Sequence, residues 1–522
     1  MPRLCTALAA SALTALVAVT LAGPATAAST PKRSSAKIKL STKTTTTTLK
    51  NGVQRIHYAY GPVHIAPGQN SIFVEPNDLK PKVDGYVTRF APNLVLADGT
   101  IPRVDVIHLH HAVWLVNQSP TWGAGEEKTT AAAPPGYGWN YKTTDKWLMN
   151  HMIHDLTPTP ETVYITYDID FVPKTDPAAK SIIPIRTEWM DVVGGGYPVF
   201  DAIKGTGKLV KGKRRFTYPD DDPKANAQKG VHQWRVTKDS TLVGTAGHLH
   251  PGGLYTDLNV TRNGVTKNVF HSVAKYWEPA GAVSWDVSMT ATPVNWKINV
   301  NPGDVVSTTA TYDTSKASWY ESMGIMATSV ADGHHGVDPF TQSFPRTGKV
   351  THGPLAENRG HGGDPIGLPN PVKLLDGPVV EGKQVLIDGF IYKQGNMTAT
   401  GMAGRPPVIQ QGKTFTFVNK DAPKGLTGQV FAASGGDLPI YHTITSCKQP
   451  CNKSTGIAYP LADGDVTFDS GELGYGPGGF TAAANRDTWD VPKDLPKGTY
   501  TYFCRVHPFM RGSFRVVPNK TT

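Results

Sequence analysis

Seven residues near the C-terminus carry the densest chemistry in the chain: Cys504-Arg505-Val506-His507-Pro508-Phe509-Met510. They hold a thiol, an imidazole and a thioether at C-x2-H-x2-M spacing. One thiolate, two imidazoles and a weak axial thioether make up a blue-copper site. A loop closing two strands can supply three of these four groups. The second imidazole must come from elsewhere, and His442 is the candidate, in the β-branched and aromatic run Tyr441-His442-Thr443-Ile444. Copper is therefore the expected cofactor, with His442, Cys504, His507 and Met510 as its ligands.

Three histidine clusters lie further upstream: Ile107-His108-Leu109-His110-His111, His151-Met152-Ile153-His154 and Gly247-His248-Leu249-His250. On a regular strand His108 and His110 share one face and His111 points to the other. His248 and His250 likewise share a face, a good bidentate arrangement for copper or zinc. His151 reads as an ordinary packed histidine. His334, His335, His352 and His361 fall in Gly-rich stretches and read mainly as solvated.

The elements that position these groups are strands. Of 522 residues, 53 are Gly and 42 Pro, and 39% are hydrophobic, which suits packed cores joined by many turns. That length suggests about three domains. Alternating runs such as Val104-Asp105-Val106-Ile107-His108-Leu109-His110, Val163 to Ile169, Gly253 to Val260, Val305 to Tyr312, Thr414 to Val418 and Gly498 to Cys504 read as strands. The expected class is all-β: a first β-sandwich over 60–175, a second over 176–340, a Gly/Pro/His linker over 341–376 and a last β domain over 377–522.

The N-terminus reads as a cleaved secretory signal over residues 1–28. Arg3 supplies the basic flank, residues 4–22 an apolar stretch and Ala25-Thr26-Ala27 the small-residue cleavage site. Residues 29–59, with the run Thr44 to Thr48, read as an extended, poorly ordered arm. Secretion makes a disulfide between Cys447 and Cys451 plausible once Cys504 is assigned to copper. A second thiolate metal site is the alternative for that pair. The formal charge of +10 suits contact with an anionic cell surface. Nucleic acid is not an expected partner, since no recognition motif is present.

The string Tyr502-Phe503-Cys504-Arg505-Val506-His507-Pro508-Phe509-Met510-Arg511-Gly512 resembles the amicyanin and plastocyanin group of cupredoxins. The resemblance covers about the last 140 residues. It implies a Greek-key β-sandwich, equatorial His442, Cys504 and His507, axial Met510, and single-electron transfer with a small reductant or redox protein. An insertion around 447–485 departs from that group.

The upstream clusters resemble, in order, the ligand segments of the copper type II, ascorbate-dependent monooxygenases. Val106 to Leu115 resembles the His-His segment, Leu148 to Asp155 the single-His segment, His248-Leu249-His250 the His-x-His segment, and Glu321-Ser322-Met323-Gly324-Ile325-Met326 the Met segment. The resemblance implies two β-sandwich domains of that type. One copper would sit on His110, His111 and His154, with His108 as an extra histidine. The other would sit on His248, His250 and Met323, with Met326 as the alternative thioether. That second set would be the oxygen-activating, catalytic one.

Two departures stand out. This region has no cysteine, whereas the family is rich in disulfides, and Ala246 stands where the peptide-hydroxylating branch has an Arg. The expected function is an exported blue-copper protein feeding a two-copper core that hydroxylates a small organic substrate with dioxygen. The alternative is a non-catalytic extracellular copper or electron carrier.

Overall fold

The computed structural model describes residues 38–49, 51–66, 72–104, 106–156, 159–194, 198–226, 233–277, 287–353, 370–379, 384–397, 405–421, 441–447, 466–474, 486–507 and 510–519. The expected signal segment, His361 and Cys451 lie outside these residues. Nearly all regular structure is strand, and the only helical elements described are the short pieces Pro177–Ser181, Pro223–Asn226 and Pro371–Lys373. The chain is all-β.

In the first region, Glu161–Pro173 lies between Gln54–Ile65 and Gly85–Leu96, antiparallel to both. Facing this sheet is a second one, ordered Ile72–Pro76, Trp147–Asp155, Ile107–Val116, Ser119–Ala124. Alternate residues from both sheets meet in one aromatic core. Phe90 stacks on Trp122 at 4.8 Å, and the Trp114 edge meets Phe90 at 4.6 Å. Trp114, Ile165 and Tyr167 are fully buried there. Such alternation is what a strand with one buried face requires.

The poorly ordered arm expected over 29–59 needs correction. Thr45–Thr48 is a strand paired with the start of Gln54–Ile65, in register Thr45↔His57 to Thr48↔Gln54. Four successive β-branched residues favour extended backbone. The turn closes with Gly52 at φ +82° and its N–H on the Leu49 carbonyl at 2.9 Å. A polar composition had suggested disorder, but a β-branched polar run can still serve as an edge strand.

The second region has Gly324–Asp332 between Ser240–Leu249 and Ile183–Asp191. Gly253–Arg262 lies between Val265–Tyr276 and Val305–Asp313. Leu242, Leu258, Val260, Phe270, Trp296, Met326 and Val330 form its buried core. The two regions share a sheet, because Ile183–Asp191 runs parallel to Tyr137–Tyr141 in register Ile183↔Tyr137. Lys349–Val350, inside the expected linker, adds to Val287–Ala291.

The last region has two sheets. Thr416–Asn419 lies between Gln384–Ile387 and Thr488–Asp490. The other sheet is ordered Val408–Gln410, Arg511–Val517, Gly498–Phe503, Thr445–Ser446. Ile387, Tyr392, Phe415, Phe417, Ile444, Tyr502 and Phe514 fill the space between them, together with Cys504 and Met510.

Candidate metal centres

Cys504 follows the last residue of Gly498–Phe503, and the loop turns back at once into Arg511–Val517. The Cys504 N–H donates to the Met510 carbonyl at 3.1 Å, and the Met510 N–H donates to the His507 carbonyl at 2.8 Å. These bonds hold the loop short. They bring His507 Nδ1 to 3.8 Å from Cys504 Sγ, and His442 Nδ1 also lies 3.8 Å from Sγ. The two Nδ1 atoms are 3.1 Å apart. All three donor atoms lie within 4.8 Å of one another, and all three residues are buried. Met510 is fully buried in the same cluster as Cys504.

The surroundings fit a bound thiolate. Backbone N–H groups of Thr443 and His507 each donate to Sγ at 3.3 Å. Burial pushes the thiol pKa up, but the pairing with His442 and His507 outweighs it and holds the thiol well below its ordinary value. Asp421 Oδ2 lies 2.9 Å from His442 Nε2, which leaves Nδ1 turned toward the sulfur. Burial acts against a charged His442, yet Asp421 and Cys504 together raise its pKa. A carboxylate on the far nitrogen is the usual way a ligating imidazole is oriented. Phe390 lies against the site in edge-to-face contact, its ring centroid 5.5 Å from that of His442 and 5.0 Å from that of His507. This donor set is what a blue-copper ion takes, so the residues fit copper.

The upstream histidines meet in a second buried cluster. His108 stands directly opposite His154 in the ladder, and their ring centroids are 4.9 Å apart. Regular alternation would turn His111 away from them. Instead the register shifts between Leu109 and His111, making His110 the extra residue and pairing His111 with Met152. His110 and His111 therefore turn toward each other, Nδ1 to Nδ1 at 3.2 Å. The His110 ring is 4.4 Å from His154 and 4.7 Å from His250. His248 and His250 are 5.4 Å apart. Residues expected in two separate ligand sets thus adjoin one another.

Burial first, and then repulsion among the rings, hold His110, His154 and His250 well below the ordinary histidine pKa. His111 is brought down to about 4, mainly by burial. Neutral imidazole is the form that binds a metal. The His250 ring is aimed by its Nδ1, 2.6 Å from the Glu321 carbonyl, and its backbone N–H donates to the Tyr312 hydroxyl at 3.1 Å. His111 Nε2 lies 3.0 Å from Asn150 Oδ1.

Sequence reasoning missed several partners. Buried Glu127 places Oε1 3.7 Å from His248 Nδ1. Burial alone would raise its pKa, but His248 holds it below the ordinary value. Asp421 and Tyr312 were missed as well. An acidic or aromatic residue far away in sequence carries no spacing signal that would single it out.

Met323 shares the Tyr312 hydroxyl with His250, one residue beyond the Leu249–Gly324 pair of the ladder. Met323 is buried in an apolar cluster with Ile72, Met152, Val199 and Ile325, while its backbone N–H donates to the Tyr312 hydroxyl at 3.1 Å. Met326 belongs to the core of the second region. His151 stacks on Phe73 at 5.5 Å and meets the Tyr60 ring at 5.7 Å. His334 lies 3.5 Å from Asp239, and His335 is exposed. Cys447 is disulfide-bonded. Cys504 is a free thiol.

The copper loop packs against the second region. Phe503, Cys447 and Val466 share an apolar cluster with Leu249, Tyr312 and Trp319. Arg505 Nη1 donates to the Ser318 carbonyl at 2.5 Å and to Asp469 Oδ2 at 2.9 Å. Through this cluster Phe503, next to Cys504, meets Leu249, next to His250.

No protein-family model and no curated protein matches the sequence. Among solved structures, the chain is similar to a reduced Cu(I) form of an amicyanin variant, at 15% identity over 29% of this chain and 91% of that chain, TM-score 0.15. A second amicyanin variant, also Cu(I), gives 16% identity over 29% and 91%, TM-score 0.13. The Cu-containing nitrite reductase from Thermus scotoductus SA-01 gives 14% identity over 54% of this chain and 59% of that chain, TM-score 0.15. The C-terminal region is a two-sheet β domain that holds a buried His-Cys-His group.

Proposed function

We propose that this is an exported copper protein whose cupredoxin-like domain passes single electrons to a copper-binding histidine centre upstream. The carrying observation is one buried apolar cluster that holds both Phe503, next to Cys504 of one centre, and Leu249, next to His250 of the other. His442, Cys504, His507 and Met510 would hold the blue copper. His110, His111, His154, His248 and His250, with His108 beside them, would hold further copper. Bound copper supplies reversible one-electron chemistry at the first centre and dioxygen chemistry at the second. The chain's own part is to keep the imidazoles neutral and aimed, through Glu321, Asn150 and Glu127, and to exclude water by burial. Tethering the electron carrier makes delivery intramolecular. The reaction we infer is hydroxylation of a small organic substrate with dioxygen. A small reductant or redox protein would reload the chain, and the cationic surface suits an anionic cell exterior.

The alternative is a non-catalytic copper or electron carrier. Met323, the thioether expected at the oxygen-activating copper, packs with Ile72, Met152, Val199 and Ile325. Copper loading tests the shared part of both readings. The full chain should bind more than one copper, one of them giving an intense thiolate band. A single copper whose binding ignores His110→Ala and His248→Ala would remove the histidine centre. Substrate-dependent oxygen consumption then separates enzyme from carrier.

A further inference from the structure

Arg505 sits between two ligand candidates of the copper loop, one residue after Cys504 and two before His507. Its side chain does not turn back into its own domain's core. Nη1 reaches the Ser318 carbonyl of the second region at 2.5 Å, and Asp469 Oδ2 of its own domain steadies it at 2.9 Å. The guanidinium lies over two rings of the second region, 4.9 Å from Trp319 and 5.4 Å from Tyr320. The ion pair is largely closed to solvent, with side-chain exposures of 10% for Arg505 and 9% for Asp469. A planar, permanently charged fork that both stacks and donates is something only Arg offers.

The surface it grips is tied to the histidine centre. Trp319 packs on Gly252, where an added Cβ would meet the indole at 2.2 Å, and Gly252 is two residues after His250. The same stretch supplies the Glu321 carbonyl that aims His250, with Glu321 itself held at φ +50°. The cation therefore joins the loop bearing Cys504 and His507 to the segment that orients His250.

We propose that Arg505 is a positioning residue, a latch that fixes the cupredoxin-like domain on the second region and so holds the loop of Cys504 and His507 against the segment that aims His250. The electron-transfer consequence rests on the function proposed above, whereas the latch itself does not. Without the latch the apolar contact of Phe503, Cys447 and Val466 remains, but the domain opens more often and the loop leaves the segment that aims His250. Charge-assisted bonds in a site this dry are worth about tenfold or more in the ratio of docked to open states.

The test uses the full chain without metal, followed by amide hydrogen exchange, which reads the opening equilibrium directly. In Arg505→Ala the amides of Trp319–Ser322 and of Val466, whose N–H donates to the Lys316 carbonyl across the seam at 3.3 Å, should exchange about tenfold faster, while those of Glu161–Pro173 stay unchanged. Asp469→Asn reaches the same latch without touching the copper loop and should show a smaller change of the same kind. Arg505→Lys should fall between wild type and Ala. A circular dichroism spectrum like that of the wild type certifies folding. Wild-type exchange at Trp319–Ser322 in folded Arg505→Ala and Asp469→Asn chains would overturn the latch. In the copper-loaded chain, Arg505→Ala should keep the blue band and lose about tenfold in the rate at which the reduced blue site passes its electron inward. A wild-type chain that passes no electron would sink the proposed function and leave the exchange result standing.

Discussion

The His110 and His250 rings lie 4.7 Å apart, centroid to centroid, although one comes from Ile107–Val116 and the other follows Ser240–Leu249. His154 is scarcely closer to His110, at 4.4 Å. A ligand set drawn from the first region alone therefore has a neighbour from the second within its own packing shell. His250→Ala should weaken copper binding by the cluster about tenfold or more. It should also alter the electron paramagnetic resonance spectrum of copper still held on His110 and His154. Loss of one equivalent with that spectrum untouched would show that the two sets act independently.

A second prediction concerns pH and the seam of the first region. His57 Nδ1 lies 2.7 Å from Asp168 Oδ1, and Nε2 lies 3.3 Å from the Ser41 carbonyl. Only a charged ring donates at both nitrogens. The Asp168 bond, working against burial, raises the pKa above 6.5. The resulting stabilisation is complete below pH 6.5 and is lost as pH rises through the folded-state value. Asp168 is 39% exposed, so the effect is at most about 1 kcal/mol. Melting temperature measured upward from pH 6.5 should fall in the wild type more than in Asp168→Asn. Parallel curves would reject the assignment.

Residues that act within one short loop were legible in the sequence, because chain connectivity alone places them together. Cys504, His507 and Met510 are of this kind, and His442 was found by its strand-like surroundings. The strands Glu161–Pro173, Gly253–Arg262 and Val305–Asp313 were legible as alternation, since a half-buried strand must alternate. His111 was misplaced because period-two reading assumes an unbroken ladder, and the bulge at His110 breaks it. The adjacency of His110 and His250 depends on how two sheets pack, which no local pattern encodes. Asp421 and Glu127 were invisible for the same reason, since a carboxylate marks a site only once its imidazole partner is seen beside it.

Asp421 makes the third prediction. Its Oδ2 holds His442 Nε2 at 2.9 Å, and Oδ1 and Oδ2 accept the Gly389 and Phe390 N–H groups at 2.7 and 3.0 Å. It therefore fixes both the ring and the bend carrying Phe390, which follows Gln384–Ile387, against the site. Asp421→Ala should lower copper affinity about 10–100-fold and shift the blue band, with the thiolate ligand still in place. Asp421→Asn, which keeps one acceptor oxygen, should lose less. Copper titration followed at the blue band measures both, and equal affinities for wild type and Asp421→Ala would show that Asp421 does not orient the ligand.

The fourth prediction turns on the space beside His248. A Cβ added at Gly125 would lie 2.6 Å from Glu127 Oε2 and 2.7 Å from His248 Cε1, both of which are packed side-chain atoms. The Gly125 N–H also donates to Glu127 Oε1 at 3.2 Å, so the glycine holds the carboxylate that faces His248. Gly125→Ala must push the imidazole and the carboxylate apart. Overpacking of this kind costs about 1–3 kcal/mol, read as a lower melting temperature of the metal-free chain. Copper held by the histidine cluster should fall while the blue band keeps its intensity, because His442 and Cys504 lie in another domain. Glu127→Gln removes the charge but leaves the volume, so it should weaken copper binding at His248 with little effect on melting. If Gly125→Ala and Glu127→Gln both bind copper as the wild type does, His248 is not a ligand held in place by this carboxylate.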